Sequence, residues 1–97
     1  MLRIKKEIDL KELKKFGFEF LKIDKDLSIY TYEAEDNYSR FSNLKTYSAI
    51  DINCKTRIIT EYKIIVSDGK HSTTRDMICT DVLYDLIQAG YVEKVEE

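Results

Sequence analysis

An α+β fold is predicted for this chain: a five-stranded antiparallel meander sheet flanked on one face by an N-terminal and a C-terminal helix. Three observations predict it. Five runs rich in β-branched and aromatic residues follow one another through the middle of the chain, separated by turn compositions. An amphipathic segment stands near each end, with a capping residue before it and a glycine after it. No linker, internal repeat or low-complexity segment divides the 97 residues, so residues 1–97 are read as a single domain, long enough for one core and too short for two.

The elements follow in order. Asp9 can cap a short helix in which Leu10 and Leu13 share a face, and Gly17 ends it. Residues 18–23 and 27–35 form a hairpin around Asp24-Lys25-Asp26. In its second strand Leu27 and Ile29 fall on one face, read as the core side, and Tyr30 and Tyr32 on the other. Residues 35–44 are polar and without period, a surface loop. Residues 47–53 and 57–66 make a second hairpin around Cys54-Lys55-Thr56, a turn expected to be exposed. Ile58, Tyr62, Ile64 and Val66 line up on one face of its second strand, which is read as core.

Asp68-Gly69 is the strongest turn signal in the chain, because it supplies left-handed conformations to a tight hairpin, and 71–79 should follow as a strand. Thr80 or Asp81 then caps a helix with the broad apolar stripe Val82, Leu83, Leu86 and Ile87, ended by Gly90. A short strand over 91–95 closes the chain.

Composition narrows the function classes. With 43% hydrophobic and 35% charged residues, the chain is too apolar to be disordered. Sixteen basic and 18 acidic side chains nearly cancel, so no whole-molecule field draws it to nucleic acid or an anionic membrane. The ends are polarised, basic over 1–25 and acidic over 80–97, a distribution that an antiparallel packing of the two termini would favour. The start alternates apolar and charged residues, unlike a signal peptide, and no window reaches the roughly 18–20 apolar residues of a membrane span. A cytoplasmic protein with two free thiols, Cys54 and Cys79, and no membrane association is expected.

No catalytic residue, cofactor or metal site is assigned, and the chain is read as not an enzyme. One histidine and two scattered cysteines do not make a zinc site. His71, Ser72 and Asp68 are the right types for a nucleophilic triad, but adjacent strand residues point to opposite faces, and a polar hairpin end accounts for them. The three glycines are too far apart for a phosphate-cradling loop. The basic cluster Arg3, Lys5, Lys6, Lys11, Lys14 and Lys15 alternates with Glu7, Asp9 and Glu12, as a solvated helix face does, which argues against direct nucleic-acid binding.

A protein partner suits the residues better. Tyr30, Tyr32, Glu33, Glu35 and Asp36, with Tyr38, Arg40 and Phe41 of the following loop, form the candidate partner-binding cluster. Its aromatics and arginine are types enriched at interface centres, and its carboxylates favour a basic partner, such as the nucleic-acid-binding surface of a nuclease. A second layer on the sheet or a homodimer seam would use the same aromatics.

Ile-Asp-Leu-Lys-Glu-Leu-Lys-Lys-Phe-Gly-Phe at 8–18 and Asp-Val-Leu-Tyr-Asp-Leu-Ile-Gln-Ala-Gly-Tyr-Val-Glu-Lys-Val at 81–95 resemble segments of short proteins encoded by phages and prophages of low-GC Gram-positive bacteria. Twelve lysines and 12 isoleucines suit such AT-rich genomes. The resemblance covers about a quarter of the chain and carries no functional residues. It implies an accessory protein of the host-cell cytoplasm, with an anti-defence, anti-CRISPR-like inhibitor of a host protein as the leading expectation. The alternatives are a phage regulatory or nucleic-acid-associated protein and a sponge for a small nucleotide signal.

Overall fold

The computed structural model describes residues 1–36, 44–67, 70–74 and 81–95, and gives the backbone alone for Asp36, Leu44, Lys45, Ser67 and residues 70–74. The element order is β1 (Leu2–Ile4), a 3-10 helix (Leu10–Phe16), β2 (Glu19–Lys22), β3 (Ser28–Asp36), β4 (Leu44–Asn53), β5 (Ile59–Ser67), β6 (Lys70–Thr74), α1 (Asp81–Gln88) and β7 (Val92–Lys94). The chain is α+β, mostly strand with two helical segments. Strands β2 to β5 pair antiparallel in chain order, and β6 joins the edge beside β5.

The expected arrangement needs correction at the chain ends. β1 and β7 form a separate two-stranded antiparallel sheet in which Arg3 lies opposite Glu93, with Arg3 Nε 2.7 Å from Glu93 Oε1. Both side chains are about a third exposed, so the pair sets the register more than it adds stability. The layer over the main sheet is therefore not two helices alone. It combines the 3-10 helix, α1 and this terminal ribbon: Ile4, Leu13, Leu83 and Leu86 share one buried cluster with Phe18, Tyr30, Ile50 and Ile52.

Short-range chemistry accounts for the element boundaries. The Asp9 carboxylate accepts from Lys11 N at 3.0 Å, capping the 3-10 helix. Gly17, at φ 93°, donates to Lys14 O and Phe18 N donates to Leu13 O. The end of α1 repeats that pattern: Gly90, at φ 79°, donates to Ile87 O, and Tyr91 N to Leu86 O. This is the Schellman pairing, in which a left-handed residue lets the chain turn back and satisfy the last carbonyls. In both cases an aromatic follows the glycine and packs at the core, and the ends meet through an edge-to-face contact of Phe16 with Tyr91 at 5.5 Å.

Two side chains shape the hairpin turns. Asp24 Oδ1 accepts from Asp26 N and Leu27 N, and Asn53 Oδ1 accepts from Lys55 N and Thr56 N. After the second turn Arg57 takes φ 65°, and its Nη1 donates to Lys5 O at 2.8 Å and Ile8 O at 2.6 Å. Ile4 N donates in return to Arg57 O. Arg57 thus ties the N-terminal segment to the β4–β5 turn, and these bonds hold a backbone conformation that costs an L-residue about 1–2 kcal/mol. Ser67 pairs with Lys70 across the third turn; Asp68-Gly69 itself lies outside the described residues.

The expected facing of the strands is overturned. Tyr30 pairs with Ile52 and Tyr32 with Ile50, so these four share one face. That face carries the core: Tyr30 is 6% exposed and Ile50 and Ile52 0%. Ile29 lies on the opposite face. Ile58, Tyr62, Ile64 and Val66, read as core, are only half-buried; Tyr62 and Ile64 pair with Ala49 and Tyr47 on that same opposite face. In α1, Leu83 and Leu86 are buried but Ile87 is 43% exposed, which narrows the expected stripe. Cys54, expected in an exposed turn, is half-buried against the core cluster.

Candidate functional site

The face of the sheet turned away from the core cluster has no described element over it. Its register rows are Glu35–Tyr47–Ile64, Glu33–Ala49–Tyr62 and Glu19–Thr31–Asp51–Thr60. On this face Glu19, Glu33 and Glu35 stand on β2 and β3 and Asp51 on β4. Leu21 and Ile29 at one end of β2 and β3, and Tyr47, Ala49, Tyr62 and Ile64 of β4 and β5, are apolar or aromatic. Every strand contributes alternate residues to this face because side chains on a strand repeat with period two.

At the end nearest the β4–β5 turn the face is concave. A cavity of about 580 Å³ is lined by Ile29, Asp51, Asn53, Thr56, Ile58, Thr60 and Tyr62. Asp51 organises it: Oδ1 accepts from Thr31 Oγ1 at 2.8 Å and from Tyr62 Oη at 3.3 Å. Burial, then the neighbouring Asp51 charge and its hydrogen bond, push the Tyr62 phenol up to about 12. The hydroxyl stays protonated at neutral pH and serves as a donor, not a nucleophile.

The cluster expected for partner binding is divided by the fold. Tyr30 is in the core, stacked edge-to-face on Phe20 at 5.5 Å, and Tyr32 packs against the core beside Phe18 at 5.6 Å. Glu33 and Glu35 are exposed, Glu33 on the open face in register with Ala49 and Glu35 in register with Tyr47. Asp36 ends β3, and Tyr38, Arg40 and Phe41 lie outside the described residues. The structure thus places the two aromatics and the two described carboxylates on opposite sides of the sheet.

No family model, curated protein or solved structure matches this chain.

Other candidate chemistry can be placed residue by residue. His71 and Ser72 are neighbours on β6, and Asp68 lies outside the described residues. Burial raises the Cys54 thiol, partly offset by Arg57, which leaves it a weak nucleophile. Among the described residues no group of three or more His, Cys, Asp or Glu could hold a metal ion. In the basic cluster, Arg3 is engaged with Glu93 and Lys15 with Glu12. Among the described residues no helix is long and apolar enough to cross a membrane.

Asp51, Thr31 and Tyr62 were missed by sequence reading, although one signal was there. In Ala-Ile-Asp-Ile-Asn a carboxylate alternates with two isoleucines, which marks the residues on either side of Ile50 and Ile52 as the non-core face of β4.

Proposed function

We propose that this chain is a non-enzymatic binding protein that acts by protein–protein contact through the open face of its sheet. Inhibition of a host defence system is the role that the resemblance at 8–18 and 81–95 suggests for it. The observation that carries the reading is the composition of that face: Tyr47, Tyr62 and Ile64 present half-buried aromatic and apolar surface beside Glu33 and Glu35. Such a face gives a partner something to desolvate and a rim of one sign to orient it. The carboxylates favour a basic partner, such as the nucleic-acid-binding surface of a nuclease.

The nucleic-acid and nucleotide-sponge readings have less support. Asp51 lines the cavity and accepts from Thr31 and Tyr62, and no described lysine or arginine lines it, so a phosphate would meet negative charge.

The test is a charge reversal that spares the core. Host lysate passed over the immobilised chain identifies the captured protein, and its affinity is then measured for the wild type and for Glu33→Lys combined with Glu35→Lys. Both positions are exposed, so the melting temperature should hold. Binding should weaken at least ~10-fold and lose much of its salt dependence. An unchanged affinity in the folded variant removes this face from the reading.

A further inference from the structure

The edge strand β2 is poorly guarded. All four of its residues are exposed, and Phe20 at 53%, Leu21 at 49% and the adjoining Ile23 at 52% are three of the exposed large hydrophobic residues of the molecule. Edge strands are usually shielded from pairing by proline, bulges or charged side chains, and here the charged residues Glu19 and Lys22 stand only at the two ends of the strand, with Phe20 and Leu21 between them.

Backbone geometry limits what this edge can do. Ile23 N donates to Leu27 O at 2.9 Å, continuing the β2–β3 register that sets Leu21 opposite Ile29 and Glu19 opposite Thr31. Bonded and non-bonded pairs alternate in an antiparallel ladder, so residues 19, 21 and 23 turn their amides and carbonyls toward β3. Phe20 and Lys22 turn theirs outward. On either side the run of free groups stops: Phe18 N is taken by Leu13 O and Asp24 N by Leu27 O.

We propose that β2 pairs with β2 of a second copy of this chain, antiparallel, about a two-fold axis through Leu21. The free groups are symmetric about that residue. In this register Phe20 of each copy exchanges both backbone hydrogen bonds with Lys22 of the other, four bonds in all, and no free group on the segment is left over. A register centred on Phe20 would instead require Phe18 N, which Leu13 already holds.

The side chains agree with the backbone. Leu21 meets Leu21 of the second copy at the close, non-hydrogen-bonded position, Phe20 lies over the aliphatic stem of Lys22, and Ile23 faces Glu19. No like charges stand directly opposite, which would cost stability. Because Phe20 and Leu21 point to opposite faces, one added strand covers apolar surface on both sides of the sheet. An isologous contact uses one patch twice, and the symmetry of the free groups about Leu21 is what favours a second copy over an unrelated peptide. The paired strands are four residues each, shorter than a standard interface needs, so the dimer is weak and reversible. Pairing extends two main sheets into one and sets two open faces side by side, but it stands on the edge geometry and does not depend on the proposed partner.

Sedimentation of the full chain from the micromolar range to about 1 mM should show a monomer giving way to a dimer. Leu21→Lys places two ammonium groups opposite each other and should raise the dissociation constant at least ~10-fold, with an unchanged circular dichroism spectrum because residue 21 is exposed. A disulfide trap reads the register. In a background of Cys54→Ala and Cys79→Ala, Leu21→Cys brings two thiols to a Cα separation of about 4.5 Å, within bonding range, and should cross-link under mild oxidation. Phe20→Cys sets its own pair about 8 Å apart and should not. A monomer throughout the concentration range, a dimer indifferent to Leu21→Lys, or cross-linking of Phe20→Cys as readily as Leu21→Cys would each overturn the proposal.

Discussion

Tyr30, Ile50 and Ile52 on one face of the sheet are almost wholly buried, in one cluster with Leu13, Leu83 and Leu86; on the other face Tyr62 and Ile64 stay half-buried with no described element above them. The two sets are of the same residue types and sit on adjoining strands in the same ladder. Their different burial comes from what the rest of the chain lays over them. On the open face Ile29, at 8%, and Ala49, at 1%, are also buried, but apart from the core cluster, Ala49 because its short side chain lies in register between Glu33 and Tyr62. Burial on that side is local, whereas on the other it is collective.

The largest expected effect is therefore on the covered side. Leu86→Ala removes a side chain that is 0% exposed at the junction of α1 with the sheet, and should cost roughly 2–5 kcal/mol in urea denaturation. A loss below ~1 kcal/mol would mean that α1 contributes little to the collective core and would dissolve the contrast.

A smaller effect separates the two helix ends, which share a backbone motif but not their surroundings. At both glycines alanine must adopt a left-handed conformation, costing about 1–2 kcal/mol. A Cβ at Gly17 would also come within 3.3 Å of the Tyr32 ring, while one at Gly90 would meet nothing within 4 Å. Gly17→Ala should accordingly lower the melting temperature more than Gly90→Ala. Equal losses would show that Tyr32 yields freely and that the covered face is looser there than its packing indicates.

The smallest effect belongs to the open face and is best seen as a change with pH. Tyr62→Phe should cost under ~1 kcal/mol near neutral pH, since the bond to Asp51 is long and half-exposed. The folded state holds the phenol proton more tightly than the unfolded chain, so the stability it contributes is complete below pH 10 and disappears as pH rises through about 12. Tyr30 shifts in the same direction through burial and acts equally in both proteins. The stability gap between wild type and Tyr62→Phe should close across that window. A gap that stays constant to the alkaline limit would detach Tyr62 from Asp51.

Much of the secondary structure was legible because it rests on local signals. Asp9 and Gly17 bounded the first helical segment, Asp24 sits in the turn expected for it, Asn53, read as the last residue of its strand, organises the turn that follows, and Gly90 ended α1. That the first segment is a 3-10 helix was not legible, since the same cap and glycine serve both helix types. The candidate site was read least well. Glu33 and Glu35 are exposed as expected, but Tyr30 and Tyr32, chosen as outward anchors, belong with the core.

The sequence by itself determined the α+β class, the succession of the central strands and the reversals at 24–26 and 54–56, all of which depend on capping, glycine conformation and side-chain period over a few residues. Tertiary structure alone decided which face of the sheet is covered and how the termini close. A strand that is apolar on both sides, such as β3 with Ile29 and Tyr30, satisfies the period-two pattern in either orientation, and a one-residue difference in facing exchanges core for surface. Only the register with Ile50 and Ile52, the tie from Arg57 to Lys5 and Ile8, and the pairing of β1 with β7 settle it, and each joins residues far apart in the chain.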